Sequence, residues 1–342
     1  MKAGLVGFPL SGKTTLFNAI TALHKSGDSH VHLGAIKVPD RRVDQLAAIY
    51  KPRKVTYAEM RFVDLPGPRG KAMDAELLRP LSDVDALCLV LRGFVAPDGT
   101  QPDPVRELRD FDAELVLADL GVVERRLDRL RKEHAGKTGS EFHELTNLQI
   151  HLEAGHPLRT MKWTDAEQRE MAHFGFLSRR PMLVVLNVAE SDAARPLPPA
   201  LETEVRVRGA EGLALSAAVE AEIAELDPAE QPAFLESIGL REPARERFIR
   251  AAYHLLDLAS FFTVGEDEVR AWTIHRGDRA PRAAGKIHSD LERGFIRAEV
   301  IHYEEFMAAG SEGKARERGK MRLEGKEYVV RDGDILHVRA AV

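Results

Sequence analysis

Gly7-Phe8-Pro9-Leu10-Ser11-Gly12-Lys13-Thr14 decides the fold of this chain. The octet fits G-x-x-x-x-G-K-[ST], follows a short apolar run at residues 3–6 and opens an amphipathic helical pattern at residues 15–23. Glycines let backbone N–H groups curl around phosphate oxygens, and the helix start adds the positive end of its dipole. The segment Phe8, Pro9, Leu10, Ser11, Gly12, Lys13, Thr14 and Thr15 is therefore expected to cradle a nucleoside triphosphate. Lys13 would neutralise the β- and γ-phosphates, and the Thr14 hydroxyl would ligate Mg²⁺.

Further along, Asp64-Leu65-Pro66-Gly67 follows the apolar residues of 60–63. An acidic residue at the end of a second strand supplies the carboxylate on the Mg²⁺ side, so Asp64 joins Thr14 as a candidate metal residue. Gly67 can offer its N–H to the γ-phosphate and act as a switch hinge. Lys13, Asp64 and Gly67 are thus the candidate catalytic set. No glutamine follows Gly67; the next residues are Pro68, Arg69 and Gly70. A water-orienting glutamine of the Ras type is excluded, and any intrinsic turnover is expected to be slow.

Asn187-Val188-Ala189-Glu190 closes the apolar run at 182–186. Guanine-specific proteins carry N-K-x-D here, with an aspartate that accepts from guanine N1–H and the 2-amino group. Glu190 is longer, and Val188 replaces the lysine, so strict GTP selectivity is not expected. Asn187 can still hydrogen-bond adenine N6 and N7, as amides commonly do. Ser216, Ala217 and Ala218, in Leu215-Ser216-Ala217-Ala218, resemble an S-A-x loop that closes over the base.

Apolar runs at 3–6, 60–63, 86–91 and 182–186 read as strands of a parallel sheet covered on both faces. Between them Val116, Leu120, Val123, Leu127 and Leu130 form a four-three-four-three seam, and Leu145, Leu148 and Leu152 repeat it after Gly136-Lys137-Thr138-Gly139. The expected result is a helical hairpin at residues 106–175, inserted into a nucleotide-binding domain made of 1–105 and 176–258. Arg125, Arg126, Arg129, Arg131 and Lys132 on its first arm read as a solvated face or, alternatively, an RNA-docking stripe. Residues 259–342 alternate at 269–274, 295–301, 327–330 and 335–338, which predicts a small strand-rich domain.

The chain has 342 residues, 30% of them charged, and a net charge of −5, so no global electrostatic case for DNA or RNA exists. Its one cysteine, Cys88, lies in the apolar run at 86–91, as a small core hydrophobe would. No stretch of about 18 apolar residues predicts a membrane span, and the N-terminus does not read as a signal peptide. A cytoplasmic protein with no membrane or DNA partner is expected.

The chain resembles the YchF family, the Obg-like ATPases of the Obg–HflX branch, over nearly its whole length. Val38-Pro39-Asp40-Arg41-Arg42, Tyr50-Lys51-Pro52 and Phe62-Val63-Asp64 are similar to the family's pattern around its switches. Glu114–Leu120 resembles the start of its helical insert, and Asn187–Glu190 is its NxxE form. Phe261-Phe262-Thr263-Val264-Gly265, Glu268–Ile274, Ala283–Asp290 and Arg293–Val300 resemble its C-terminal TGS domain, a ubiquitin-like β-grasp module. The resemblance implies ATP hydrolysis with Mg²⁺, ATP tolerated or preferred over GTP, and association with ribosomes. The chain departs from the family pattern in its P-loop, where Leu10 and Ser11 stand in place of Asn and Val. The first-switch Thr-Ile-Glu-Pro element is absent as well, with Ser29 near its place, and the segment after the second switch is shortened.

The sequence thus predicts an α/β P-loop NTPase of the G-domain type with an inserted α-helical hairpin and a C-terminal β-grasp domain. Its activity would be Mg²⁺-dependent hydrolysis of ATP, with ribosome or RNA-containing translational complexes as partners. Two other readings stand beside it: a GTP-preferring GTPase, and a nucleotide-gated adaptor that does not turn over.

Overall fold

The computed structural model describes residues 1–21, 32–65, 80–133 and 139–341. Gly67, Ser29 and the 136–138 part of the predicted hairpin break lie outside the described residues. In chain order the elements are β1 (Lys2–Val6), α1 (Lys13–Thr21), β2 (His32–Lys37), α2 (Arg41–Tyr50), β3 (Lys54–Thr56), β4 (Glu59–Asp64) and β5 (Ala86–Gly93). There follow α3 (Pro104–Glu133), α4 (Ser140–Glu153), α5 (Asp165–Met171), β6 (Met182–Val188), α6 (Pro199–Val207), β7 (Glu211–Leu215), α7 (Ala217–Glu225), α8 (Gln231–Ser237) and α9 (Ala244–Leu255). The last are β8 (Leu258–Thr263), β9 (Glu268–His275), α10 (Ala280–Ile287), α11 (Ser289–Arg293), β10 (Phe295–His302), α12 (Tyr303–Ala309), α13 (Glu312–Glu317), β11 (Arg322–Glu324) and β12 (Asp334–Ala340). They group into two compact units, residues 1–35 with 61–248 and residues 36–60 with 249–342.

The first sheet has the order β2-β4-β1-β5-β6-β7. β4, β1, β5, β6 and β7 run parallel, with Leu5 opposite Asp64 and Cys88, and Leu91 opposite Leu186. β5 and β6 are apolar almost throughout and nearly every residue is buried, as strands covered on both faces require. Leu108, Phe111 and Leu115 of α3 and Leu201 and Val205 of α6 join these strands in one core. Leu16, Phe17 and Ile20 of α1 are also buried, and the Phe62 ring packs on Phe248 at 5.2 Å between centroids. Cys88 is fully buried and its thiol is pushed up to about 12 by desolvation, which fits packing and not chemistry.

The predicted leucine seam is real. Val116, Val123 and Leu127 of α3 pack with Leu145, Leu148 and Leu152 of α4, and Leu120 and Leu130 border them. Arg126 and Glu141 pair across the two arms at 2.7 Å. Arg125, Arg129, Arg131 and Lys132 are exposed, the solvated face of the simpler reading. At the root of the arms, Asp112 is fully buried and holds Arg159 and, at 3.1 Å, Arg208, so the helices are pinned by a charged network. Sequence spacing gave no sign of it.

In the second unit the sheet order is β11-β10-β12-β8-β9-β3. Ala280, Ala283 and Ala284 of α10 lie against Phe261, Ile274, Ala298 and Leu336, small side chains that let the helix approach the sheet closely. Residues 36–60, which the sequence reading placed in the nucleotide-binding domain, group with this unit for visible reasons. β3 adds a parallel edge strand beside β9, and Thr56 Oγ1 donates to Glu268 at 2.6 Å. Arg42 bridges Asp40 and Asp332, and Tyr50 donates to Glu312 at 2.6 Å while stacking on Phe306. The predicted strand at 327–330 is corrected: only an isolated bridge, Arg279 with Val329, forms there. The stretch is instead a turn held by a Tyr328 N–H to Gly325 bond. β11, three residues long, is too short to show alternation.

Candidate functional site

Five parallel strands end on the same edge of the sheet, which is where open α/β sheets bind ligands. β1 leads into the P-loop and α1, β4 ends on Asp64, and β5 leads into the loop 93–102. β6 ends at Asn187 and Val188, and β7 leads to Ser216–Ala218.

In the P-loop, Leu10 and Gly12 have φ of +65° and +79°, and Ser11 N–H donates to the Phe8 carbonyl at 3.2 Å. Left-handed residues within a short turn are what aim successive N–H groups into an anion-binding nest. α1 starts at Lys13, so its first N–H groups lack partners within the helix and point into the same concavity. Gly12 is compulsory on two counts. Its φ is unfavourable for other residues, and a Cβ there would stand 2.1 Å from Asn187 Nδ2.

The Lys13 ammonium pairs with the Asp64 carboxylate, each largely buried. An ammonium has three donors, so Lys13 can keep Asp64 and still give two hydrogen bonds to phosphate oxygens. Thr14 is half-buried beside it on α1. A hydroxyl and a carboxylate form a hard oxygen donor set of the type Mg²⁺ takes when phosphates and water complete its shell.

Asn187 is the keystone between the two ends of the site. Its Nδ2 donates to the Ser11 carbonyl at 2.9 Å, and its Oδ1 accepts from Ala217 N–H at 2.9 Å. The side chain is buried, and one N–H and one lone pair remain for a ligand. Ser216, a predicted base-loop residue, is buried, and its hydroxyl accepts from Val219 N–H at 3.5 Å as the cap of α7.

A cavity of about 780 Å³ opens beside these groups. Gly12, Thr15, Asn187, Val188, Glu190, Ala217 and Ala218 line it, bringing P-loop and base-side candidates together. Phe8, Pro9, Leu10, Ser11, Lys13, Thr14, Asp64 and Ser216 do not line it, and Phe8 packs against the main core instead. Sequence reasoning missed the wall made by Gly93, Phe94, Val95, Gln101 and Pro102, and Ser191 and Asp192 beyond Glu190. The signal for the wall was present in the apolar run at 86–91, whose carboxyl end leads straight into it.

A parallel sheet with a phosphate nest after its first-numbered strand and a carboxylate after a neighbouring one defines a P-loop nucleotide-binding protein of the G-domain class. Residues 2–119 match the family model MMR_HSR1, described as a 50S ribosome-binding GTPase, and residues 258–341 match YchF-GTPase_C, described as a protein of unknown function. The chain is 38% identical to the Ribosome-binding ATPase YchF of Bacillus subtilis (strain 168), over 99% of each chain. It is 38% identical to that of Escherichia coli O157:H7, over 98% of each. The solved structure of the Schizosaccharomyces pombe YchF GTPase superposes with a TM-score of 0.89 at 28% identity, covering 99% of this chain and 97% of the other. The chain belongs to the YchF family.

Proposed function

We propose that this protein is a Mg²⁺-dependent ATPase of low intrinsic turnover that works with the ribosome. The observation that carries the reading is the meeting of Gly12 and Thr15 of the P-loop with Asn187 and Glu190 on one cavity, with the Lys13–Asp64 pair next to Gly12 in the P-loop. The names of the relatives, ribosome-binding ATPases, support the activity and the partner. Backbone N–H groups of residues 12–15 would bind the phosphates, and Lys13 would neutralise charge that grows on them as the terminal phosphoryl group leaves. Thr14 and Asp64 would hold Mg²⁺, which would supply further neutralisation of phosphate charge. Gly67 keeps its proposed role as γ-phosphate donor and hinge.

Asn187 and Glu190 favour adenine. The remaining Asn187 N–H and lone pair match the donor–acceptor edge that adenine presents at N6 and N7. Glu190 is exposed at the rim of the cavity, one methylene longer than the aspartate that grips guanine. The domain organisation proposed is a nucleotide-binding domain at 1–35, 61–105 and 176–248, a hairpin at 106–175 and a TGS-like domain at 259–342 with which residues 36–60 and 249–258 group. The last two are the readers of nucleotide state.

Two measurements test this. Calorimetry with ATP and GTP in Mg²⁺ should give tighter ATP binding, and equal or tighter GTP binding overturns the base assignment. Phosphate release from ATP should stop when Mg²⁺ is chelated. The absence of glutamine after Gly67 favours, as a second reading, a nucleotide-gated adaptor, which predicts tight binding with one turnover or none.

A further inference from the structure

Arg92 stands at the end of β5 and is only 8% exposed, yet among the described residues none of its side-chain hydrogen bonds goes to a carboxylate. Its guanidinium donates to the Thr100 carbonyl at 2.8 Å, the Phe94 carbonyl at 3.4 Å and the Gln101 carbonyl at 3.5 Å. All three acceptors belong to the loop 93–102 that walls the cavity. The loop is closed on itself at its tip, where Ala96 N–H donates to Thr100 O at 3.0 Å and Asp98 accepts from Thr100 N–H at 2.9 Å. Arg92 closes it a second time at its base. The backbone N–H of Arg92 donates to Glu107 Oε2 at 3.1 Å, on the first turns of α3, so the strand end that carries the guanidinium is tied to that helix. Burial pushes the Glu107 carboxyl above its usual range, and the Arg92 charge opposes that shift.

A buried cation spent on three carbonyls is costly unless its geometry is used. Phe94, Val95, Gln101 and Pro102 reach the cavity, whose other walls are Gly12 and Thr15 of the P-loop and Asn187, Glu190 and Ala218. Val95 is half exposed at 52%, an apolar side chain left facing the space a ligand would occupy. We propose that Arg92 is a positioning residue of the nucleotide site, holding the loop 93–102 as the nucleoside-side wall and so setting affinity and base selection without touching the nucleotide. The proposal rests on the nucleotide-binding reading above. Because the wall is remote from Lys13 and Asp64 in sequence and in role, its loss acts on binding and leaves the phosphoryl step alone.

The test is a set of full-length variants: Arg92→Ala, Arg92→Lys, Val95→Ala and the double variant Arg92→Ala with Val95→Ala. ATP and GTP dissociation constants, KM, kcat and Tm are measured on each. Arg92→Ala is expected to raise KM and the ATP dissociation constant about tenfold, with kcat within about twofold. It should also narrow the ratio between ATP and GTP binding. Arg92→Lys, which keeps the charge but not the fork, should fall between. In the Val95→Ala background the Arg92→Ala penalty should shrink, because the wall it supports is already reduced. A purely structural arginine would lower Tm and leave KM unmoved, and that result overturns the proposal, as does full additivity of the two substitutions. If Arg92→Ala does not fold, the same cycle built with Arg92→Lys decides. A wild-type chain that binds neither nucleotide overturns the underlying reading together with this one. Intact wild-type binding with no Arg92 effect overturns the brace alone.

Discussion

At the phosphate end of the site nearly every group comes from one continuous turn, residues 7–15, with Asp64 added from the neighbouring strand. At the nucleoside end the groups come from loops after β5, β6 and β7, separated by long stretches of chain and held by buried side-chain hydrogen bonds from Arg92 and Asn187. The first end is self-sufficient, because backbone conformation alone aims its N–H groups. The second has no backbone plan of its own and depends on polar side chains that never reach the ligand face in full. Damage at the first should therefore appear in chemistry, and damage at the second in binding and stability.

The largest effect expected is at the phosphate end. Lys13→Ala removes the charge proposed to face the leaving phosphoryl group and should lower kcat/KM by at least about a hundredfold. Among the described residues the ammonium pairs with Asp64, a carboxylate left largely buried without its partner, so Tm should fall and activity is compared at a temperature where both chains are folded. Phosphate release that matches wild type would remove the enzyme assignment and leave the adaptor.

Asn187→Ala comes next and joins the two ends. It leaves the Ser11 carbonyl and the Ala217 N–H without partners in a buried place, at a cost of about 2–4 kcal/mol. Unfolding in denaturant should show that loss, and calorimetry should show weakened binding of both nucleotides, of ATP more than of GTP. A variant that loses affinity for ATP only, at full stability, would mean that Asn187 reads the base and does not tie the loops.

That difference also explains what could be read from sequence. The P-loop, Asp64 and the apolar strands at 86–91 and 182–186 are local statements, since each repeats a pattern within a few residues that physics ties to one structure. Asn187 and Ala217 were found as loop residues, but their mutual bond was not, because nothing in spacing links positions thirty residues apart. The 93–102 wall was missed because Gly93, Val95 and Pro102 carry no chemistry that a motif could name. The placement of residues 36–60 with the C-terminal unit was hidden for the same reason. It depends on pairs such as Arg42 with Asp332 and Thr56 with Glu268, which lie more than two hundred residues apart.

Glu190→Asp sharpens the contrast on the base side. Shortening the carboxylate by one methylene moves it toward the geometry that accepts from guanine N1–H and the 2-amino group. GTP binding should improve relative to ATP by a factor within about tenfold, with kcat for ATP little changed. Because Glu190 is exposed and makes no hydrogen bond to the described residues that would be lost, Tm should not move. A fall in Tm would show that the residue is structural and that the selectivity argument must move to Asn187 and the wall.

The smallest effect expected is at Leu10, and it bears on whether the phosphate end is truly self-sufficient. Leu10 has φ of +65° and 62% exposure, a large apolar side chain in a left-handed conformation with no core to reward it. Such a conformation costs a residue with a Cβ roughly 1 kcal/mol, and asparagine bears it more easily. Leu10→Asn should therefore raise stability by about 0.5–1 kcal/mol, a shift in Tm of roughly 1–3 °C for a chain of this size. If Gly12, Ser11 and Asn187 already fix the turn, the dissociation constant for ATP should stay within about twofold of wild type, since the nest is formed with either side chain. A gain in affinity well beyond the gain in stability would mean that Leu10 strains the nest away from its binding shape. The phosphate end would then need help from side chains just as the nucleoside end does.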